Sequence, residues 1–369
     1  MSTDTDLLVI GGGLMGSATA WAASRRGLSV TLAEQYAPGH TRGSSHGSAR
    51  IVRRTYNDPA YTRLTGRAFE LWRELELDAD AGLLRMLGGL DFGDRHYLDA
   101  IVAELDGAGV AHEILGAGEA EERWPGLRFE GRVIHHPQAG TVDAARAIGA
   151  FHSTAEKRGA RLLFDRPVRK LSVVPGGVLA ELADGSTLTA SQVVVAAGAW
   201  LSGLLGDLVE LPRLTVTEQQ VFHFPRLDPC APPWPSVVHE FGNGIYHLQG
   251  GRDGGSGDDR KIGAHYGGRA TTAERRTGVI SPADRAAMAD YVRRWMPGCE
   301  PTPRGEATCL YTSTPDENFL LDRVGPVVVC SPCSGHGAKF APLIGELAAD
   351  LVIGADTLPE MFKLASHLM

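Results

Sequence analysis

The chain has 369 residues, which is enough for two domains of ordinary size, and 43% of them are hydrophobic, so sizeable cores can form. The formal net charge of −8 at pH 7 excludes a global attraction to nucleic acid or to an anionic membrane. We therefore expect a globular protein that acts on small molecules and has neither nucleic acid nor a membrane as its partner.

A strand, a glycine-rich turn, a helix and a second strand follow one another in residues 6–34. The apolar run at 7–10 is typical of a buried parallel strand, and an alanine-rich helix is predicted over 14–26, ending before Gly27. The second strand is predicted over 30–33. This order of elements is the context in which a glycine-rich turn binds a dinucleotide.

Three glycines in this stretch fit the G-x-G-x-x-G pattern of dinucleotide-binding proteins. Gly11 permits the tight turn, Gly13 lets a pyrophosphate approach the backbone, and Gly16 lets helix and strand pack closely. The first turn of the helix, which contains Leu14 and Met15, offers free N–H groups and a positive dipole end to phosphate.

Glu34 ends the second strand, about 20 residues after the turn, where an acid accepts hydrogen bonds from ribose hydroxyls. Its charge would repel the 2′-phosphate of NADP, so NADP is disfavoured. The motif does not separate FAD from NAD, and a glycine-rich turn of an α/β protein without a nucleotide is a further alternative.

Residues 7–24 carry no charge but do not fit a membrane span or a signal peptide, because glycines interrupt them and Asp4 and Asp6 precede them. The five cysteines form an odd, sparse set that is typical of reduced thiols and favours a cytoplasmic location. Cys330 and Cys333 are spaced as C-x-x-C. Since no second ligand pair accompanies them, we expect no metal site there.

The segment 35–56 shows little periodicity and combines small residues with several arginines. This composition is typical of a loop that wraps an anionic cofactor, and a solvated basic loop is the alternative. Its candidate ligand-contacting residues are Ser44, Ser45, His46, Arg50 and Arg53.

The composition changes along the rest of the chain. Residues 84–142 resemble an inserted substrate-side layer more than a βαβ unit, and alternating apolar residues with many prolines at 215–308 predict an antiparallel sheet. A buried strand at 192–198 runs into Gly198, which suits either a plain strand end or a second passage beside a cofactor.

Helices are predicted at 59–77, 97–105, 119–124, 144–158, 283–295 and 340–352, and strands at 84–87, 90–92, 133–136, 161–164, 168–174, 178–182, around Leu188 and at 327–329.

Three separated motifs stand out: GGGLMGSATA with HTRGSSHGSARIVR at 11–53, CLYTSTPDENFLLD at 309–322, and CSGHGAKFAPLIGE at 333–346. Shorter stretches, KIGAH at 261–265 and VVVAAGAW at 193–200, accompany them. Together they resemble the monomeric sarcosine oxidase and N-methyltryptophan oxidase family of FAD-dependent amine oxidases, within the D-amino acid oxidase superfamily. The resemblance extends over essentially the whole chain.

The resemblance implies an α/β fold, α+β overall, in which a Rossmann-like FAD-binding domain is joined to a substrate domain with a mixed or antiparallel sheet. The FAD-binding domain would comprise residues 1–83, 143–213 and 314–369, and the substrate domain residues 84–142 and 214–313. We expect a monomer whose partners are an amino acid or amine substrate and O₂.

The implied activity is FAD-dependent oxidation of a secondary or N-methyl amino acid at its C–N bond. A hydride passes to flavin N5, O₂ reoxidises the flavin and yields H₂O₂, and the imine product hydrolyses. A dehydrogenase or biosynthetic oxidase acting on a bulkier cyclic amine is the main alternative. A NAD-dependent dehydrogenase would not explain the motif around Cys309, and a non-catalytic flavin protein would not need Arg53, Lys261 and Lys339.

Five residues match positions at which members of this family carry functional side chains. Cys309 matches the cysteine joined to the 8α carbon of FAD by a thioether, and Lys261 matches the lysine near flavin N5 that activates O₂. Arg53 and Lys339 match the pair that clamps the substrate carboxylate. Arg50 matches an arginine over the flavin ring.

His265 and Tyr311 match residues that border the substrate amine, and Tyr246 matches a tyrosine at the mouth of the site. Without the motifs, a lone cysteine would be a small buried hydrophobe and a lone lysine a surface charge. The cofactor-binding set that the resemblance implies is Gly11, Gly13, Leu14, Met15, Gly16, Glu34, Ser44, Ser45, His46, Arg50, Val168, Gly198, Cys309, Gly335, Gly337 and Lys339.

Two features depart from the family pattern. Ala49 stands where family members often have threonine, so one hydrogen bond near the flavin is expected to be missing. The segment 250–259 is longer than the loop beside the active site of sarcosine oxidase, which favours a different lid and a bulkier or different substrate.

Overall fold

This computed structural model describes residues 4–228, 230–254 and 259–368 of the chain. In chain order the first strands are β1 (Thr5–Ile10), β2 (Val30–Ala33), β3 (Arg50–Val52), β4 (Leu84–Met86), β5 (Gly89–Gly93), β6 (Glu113–Gly116), β7 (Arg132–His136), β8 (Gly140–Val142), β9 (Arg161–Leu163) and β10 (Val168–Val174). The later strands are β11 (Gly177–Leu182), β12 (Thr187–Val195), β13 (Thr215–Phe224), β14 (Ser236–Glu240), β15 (Ile245–Gln249), β16 (Arg260–Ala264), β17 (Arg269–Ala270), β18 (Gly305–Ser313), β19 (Leu320–Val324) and β20 (Val327–Ser331).

The helices agree closely with the predicted ones. Asp143 caps the N-terminus of the helix Ala144–Lys157, where its carboxylate accepts a hydrogen bond from the backbone N–H of Arg146 at 3.0 Å. Among the described residues, no helix combines the length and the apolar character that a membrane crossing requires. The α-helices are α1 (Leu14–Arg25), α2 (Pro59–Ala79), α3 (Arg95–Gly107), α4 (Ala117–Arg123), α5 (Ala144–Lys157), α6 (Leu201–Leu205), α7 (Pro282–Trp295), α8 (Ala341–Val352) and α9 (Leu364–His367).

The first sheet is built around β1, which pairs in parallel with β12 on one side and β2 on the other. β20 continues the parallel pairing beyond β12, and β9 continues it beyond β2. Successive residues of β1 enter two different cores: Leu7 and Val9 face the helices, whereas Leu8 and Ile10 face the opposite layer. Because both faces are covered, the strand is apolar from Leu7 to Ile10, as predicted.

Small residues let the helices approach one another on this sheet. A Cβ atom at Gly345 of α8 would lie 2.4 Å from the backbone of Ala18 in α1, so only glycine allows this contact. The two helices share one hydrophobic core with α2 and α5. This packing fixes the N-terminus of α1 against the sheet.

The second sheet has the strand order β17-β13-β16-β15-β14-β5-β7-β6, and β18 also pairs with β13. It is antiparallel, as predicted for residues 215–308, except that β14 and β5 run parallel. Its strands come from 84–142 and 214–313. That distribution supports the domain division proposed from the sequence, which stays a proposal.

Two predictions of local structure were wrong. Residues 50–52 do not belong to a loop: they form β3, which pairs with β8 in a small three-stranded sheet. The strands expected around Leu188 and at 192–198 are one strand, Thr187–Val195, whose first half pairs with β11 and whose second half pairs with β20. In both cases, pairing with a segment distant in sequence decides the structure, which local periodicity does not reveal.

Candidate active site

A cavity of about 1530 Å³ lies where the first sheet meets the second. Its walls include Ile10 and Ala33 at the carboxyl ends of β1 and β2, and Lys261 and Cys309 from the second sheet. Ligands of open α/β sheets bind beyond the carboxyl ends of the strands, so this position suits a cofactor.

The glycine turn after β1 has the geometry that its sequence predicts. Gly11 has φ +103°, and a Cβ atom there would lie 2.5 Å from the carbonyl oxygen of Ala196. A Cβ atom at Gly16 would lie 1.8 Å from the carbonyl oxygen of Gly11. Leu14 begins α1, and its N–H donates to Oγ of Ser45 at 3.0 Å. The helix N-terminus therefore faces the cavity with polar groups around it.

Glu34 is buried at the edge of the same cavity. Its Oε2 accepts a hydrogen bond from the N–H of Gly12 at 2.6 Å, and its Oε1 accepts one from the N–H of Tyr36 at 2.9 Å. Burial opposes its ionisation, but these bonds and a nearby His40 outweigh burial and lower the pKa of the carboxyl. Gly12 was missed by the sequence analysis, since only the pattern glycines were considered.

The other residues predicted to contact the cofactor line the same cavity. The Nε2 atom of His46 is buried and has no hydrogen-bond partner within the described ranges, and burial together with the Arg50 charge lowers the pKa of His46 to about 4. A Cβ atom at Gly337 would lie 1.8 Å from the carbonyl oxygen of Pro332. The further predicted residues in the lining are Gly13, Met15, Ser44, Ser45, Val168, Gly198, Cys309, Gly335 and Lys339.

Lys261 and Arg50 converge on one acceptor. Nζ of Lys261 donates to the carbonyl oxygen of Ala49 at 3.3 Å, and Nη1 of Arg50 donates to the same oxygen at 2.8 Å. Lys261 is buried on β16, and burial with the nearby Arg50 charge lowers its pKa to about 7. Arg50 also donates to the carbonyl oxygens of Ser44 and His46, which fixes the loop before it.

Tyr246, Tyr311 and His265 come together beside Cys309. Tyr246 and Tyr311 both line the cavity, and burial raises the pKa of Tyr246 to about 12. The ring centroids of His265 and Tyr311 are 5.8 Å apart. Gly263, which the sequence analysis missed, leaves space for this group, because a Cβ atom there would lie 2.6 Å from the Tyr246 hydroxyl.

Arg53 and Lys339 flank the ring of Tyr56. The guanidinium carbon of Arg53 lies 5.5 Å from its centroid, and Nζ of Lys339 lies 5.4 Å from it. Nη1 of Arg53 donates to Oδ1 of Asp91 at 2.5 Å. Burial and the Arg53 charge lower the pKa of Lys339 well below its usual range. Tyr56 and Asp91 were not predicted, because no motif marks them: Tyr56 lies just after Arg53 in the sequence, whereas Asp91 is brought here only by the fold.

The two cysteines of the C-x-x-C pair lie against the cavity. Burial raises the pKa of Cys330 to about 12 and also raises the pKa of Cys333, whose sulfur accepts a hydrogen bond from the N–H of Thr312 at 3.4 Å. Among the described residues, no cluster of three or more potential ligand side chains is placed to hold a metal ion.

The segment 250–259 is described only in part, because residues 255–258 lie outside the described ranges. Its first half closes over the loop at 47–49. Arg252 forms a bidentate ion pair with Asp143, and the carboxylate of Asp253 accepts a hydrogen bond from the N–H of Ser48. The predicted difference in the lid therefore remains a prediction.

Comparison with known proteins agrees with this geometry. The family model of the DAO FAD-dependent oxidoreductases matches residues 6–351. The chain is 34% identical to monomeric sarcosine oxidase of Streptomyces avermitilis, covering 97% of this chain and 96% of that protein. It is 30% identical to N-methyl-L-tryptophan oxidase of Salmonella heidelberg, covering 95% of each chain.

Among solved structures, NikD, described as an unusual amino acid oxidase essential for nikkomycin biosynthesis, superposes with a TM-score of 0.85 at 26% identity. The superposition covers 98% of this chain and 96% of NikD. L-proline dehydrogenase from P. horikoshii shares the fold, with a TM-score of 0.85 at 22% identity over 98% of this chain and 96% of that one. The predicted family and fold class are thus confirmed, and the chain belongs to the DAO family of FAD-dependent oxidoreductases.

Proposed function

We propose that this enzyme oxidises the C–N bond of a secondary or N-methyl amino acid, with FAD bound in the cavity and O₂ as the electron acceptor. One observation carries the proposal: Arg53 and Lys339, which suit a carboxylate, lie in the same cavity as Lys261 and the glycine turn. An amino acid held by its carboxylate would have its amine beside His265 and Tyr311.

Two observations support FAD in this cavity. The turn formed by Gly11, Gly13 and Gly16 leaves the N-terminus of α1 open to phosphate, and the buried Nε2 of His46 has no partner within the described residues. When bound, FAD would supply the redox chemistry, as the acceptor of a hydride equivalent from the substrate and the donor of two electrons to O₂, which would be reduced to H₂O₂. The imine left behind hydrolyses in water.

The protein's own groups bind and orient the substrate. Arg53 and Lys339 bind the carboxylate, which fixes the position of the α-carbon. Burial and the Lys339 charge lower the pKa of His265 to about 4, so its ring is neutral at pH 7 and offers an acceptor for the substrate N–H. Tyr246 and Tyr311 line the cavity together with His265.

Lys261 is the group best placed to assist O₂. It is buried, and Arg50 is bonded to the same carbonyl oxygen, so positive charge is concentrated at this wall of the cavity. A fixed cation stabilises negative charge that develops on oxygen, and it does so more strongly where water is excluded.

We further propose that Cys309 carries FAD through a thioether at the 8α carbon. Its thiol is buried, lies on β18 and lines the cavity beside Tyr311. The test is acid precipitation of the purified protein, followed by mass spectrometry of the Cys309 peptide. We expect a yellow pellet with flavin mass on that peptide, retained in Cys333→Ala and lost in Cys309→Ala. A colourless pellet from the unaltered protein would remove Cys309 from the site.

The activity itself is tested by H₂O₂ release from a panel of sarcosine, larger N-methyl amino acids and cyclic imino acids. We expect turnover of at least one carboxylate-bearing amine and none of the matching amides, because an amide gives Arg53 and Lys339 no anion. A flavin that no amine reduces would contradict the proposal. A flavin that is reduced but not reoxidised by O₂ would favour a dehydrogenase.

Two further expectations belong to this proposal. The five cysteines are free thiols, which supports a cytoplasmic location. A relative that is called monomeric matches almost the whole chain, which supports a monomer. Sedimentation of the purified holoenzyme at several concentrations would test the second expectation.

A further inference from the structure

The ammonium group of Lys339 is held by two oxygen atoms. Nζ donates to the hydroxyl of Tyr56 at 2.9 Å and to the carbonyl oxygen of His336 at 2.7 Å. In its charged form the Lys339 side chain has three N–H donors, so one of them has no partner among the described residues. Lys339 lines the cavity, and that third N–H is available to a ligand.

The direction of each hydrogen bond around Tyr56 follows from His336. Nε2 of His336 lies 3.1 Å from the carbonyl oxygen of Glu317, which only accepts, so Nε2 carries the proton. Burial lowers the pKa of His336 well below its usual range, so the ring is neutral and Nδ1 is an acceptor. Nδ1 lies 3.0 Å from the Tyr56 hydroxyl, which must therefore donate to it.

The hydroxyl of Tyr56 has one proton, and it is given to His336. Its oxygen is consequently turned toward Lys339 as an acceptor. The same tyrosine ring stacks on Tyr61, with centroids 5.1 Å apart and planes at 19°, which restricts its movement. The three hydrogen bonds that link Lys339, Tyr56, His336 and the Glu317 carbonyl oxygen therefore all donate toward Glu317. The stacking on Tyr61 makes this arrangement rigid.

The two cations of the pair differ in their partners. Arg53 is bonded to the carboxylate of Asp91, whereas Lys339 has only neutral partners within the part of the chain that the structure describes. Lys339 is therefore the cation whose charge a ligand carboxylate would balance, and the orientation of its third N–H matters most.

We propose that Tyr56 is a positioning residue: it accepts one N–H of Lys339 and so leaves the third N–H for the substrate carboxylate, while His336 keeps the Tyr56 hydroxyl in the accepting orientation. This inference rests on the proposed function, in which Lys339 binds the carboxylate. The ligand class is a monocarboxylate anion, and Tyr56 itself need not touch it.

The test is titration of the holoenzyme with acetate, followed by the change in the visible flavin spectrum, with acetamide as the neutral probe. Hydrogen bonds to charged groups contribute enough that Tyr56→Phe should weaken acetate binding by roughly tenfold. The uncharged acetamide should bind equally weakly to both proteins.

The pH dependence of acetate binding separates a positioning role of Tyr56 from a purely structural one, because a structural role would leave it unchanged. The Tyr56 oxygen favours the charged form of Lys339, so Tyr56→Phe should lose acetate binding at a lower pH than the unaltered enzyme. His336→Gln, whose amide oxygen can still accept from Tyr56, should retain most of the binding, and His336→Ala should resemble Tyr56→Phe. The titratable groups that face Lys339 in this experiment are Arg53, Tyr56, His265 and His336.

Tyr61→Phe is the matched control, because it removes the hydroxyl of the stacked neighbour and should leave acetate binding unchanged. Acetate binding in Tyr56→Phe with the affinity and pH dependence of the unaltered enzyme would overturn this inference alone. An unaltered enzyme that does not prefer acetate to acetamide would overturn the proposed carboxylate site as well. If Tyr56→Phe does not fold, the two His336 variants decide between the same outcomes.

Discussion

Arg53 and Asp91 form a buried ion pair beneath the cavity, with Nη1 and Oδ1 2.5 Å apart. The Asp91 side chain is 1% exposed, and its other oxygen accepts a hydrogen bond from Nε2 of His136 at 3.2 Å. Asp91 lies on β5 and Arg53 comes directly after β3, so two different sheets bring the pair together. A carboxylate held in this way orients the guanidinium and neutralises its charge before any ligand arrives.

Replacing Asp91 by Asn should destabilise the enzyme, because it leaves the Arg53 charge buried without its counter-ion. Breaking a buried pair typically costs about 3 kcal/mol in the free energy of unfolding, which thermal or urea unfolding of the holoenzyme would measure. Acetate should stabilise Asp91→Asn more than the unaltered enzyme, because the anion replaces the missing charge. The exposed Asp207→Asn is the control, and equal stability of both variants would contradict the pairing argument.

Much of the first sheet could be predicted from local pattern. The run at 7–10, the helix after it and Glu34 follow the order of a dinucleotide-binding unit, and each boundary agrees with the structure within two residues. The site residues carried over from the family motifs also line one cavity, except Gly16, which packs against Gly11 and Val9 instead. The motifs predict these positions because each combines several residue types at a fixed spacing, which an unrelated sequence rarely shows.

The partners of those residues could not be predicted. Asp91, Tyr56 and His336 orient the cation pair. Tyr56 and His336 lie only three residues from Arg53 and Lys339, but nothing in the sequence shows that their side chains bond to each other across the fold, and Asp91 is brought to Arg53 only by the arrangement of distant strands. The strand at 50–52 was missed for the same reason, since its partner lies some ninety residues away, at 140–142. Local sequence patterns do not determine which distant elements contact each other.

Lys261 should control the reaction with O₂ in a pH-dependent way. Its pKa of about 7 means that the ammonium form predominates below that pH and is lost as the pH rises through it. Flavin reoxidation, followed by stopped flow, should therefore be fastest at low pH and should slow between about pH 6 and 8. Lys261→Met should slow reoxidation far more than reduction and should remove this pH dependence. Equal slowing of both half-reactions would rule out the role.

Buried neutral histidines should make the second sheet sensitive to acid. His239 stacks on Phe92 with centroids 3.8 Å apart, and burial with the nearby Arg294 charge lowers its pKa to about 4. In the unfolded chain the pKa is about 6.5, so the unfolded state takes up the proton first and the free energy of unfolding falls as the pH drops from 6.5 to 4.

His239→Gln, which can still bond to the Tyr291 hydroxyl, should show a shallower loss of stability over that pH range than the unaltered enzyme. Thermal unfolding at pH 7.5, 6 and 5 would measure it. The exposed His96→Gln provides the comparison and should retain the full pH dependence. Identical slopes for all three proteins would show that His239 does not take part.

Gly16 should be the least replaceable residue of the nucleotide turn. An alanine Cβ would lie 1.8 Å from the carbonyl oxygen of Gly11, and that oxygen belongs to backbone that β1 and the turn hold in place. Helix α1 would have to move away from the sheet, at a cost of about 3 kcal/mol in the free energy of unfolding, as overpacked cores show.

The displaced helix N-terminus should also bind FAD less tightly, so the purified variant should contain less flavin per protein. Gly118→Ala in α4 is the matched change, because its Cβ would meet nothing within 4 Å and alanine favours a helix over glycine by about 1 kcal/mol. Full flavin content and unchanged unfolding in Gly16→Ala would show that α1 does not depend on this close contact.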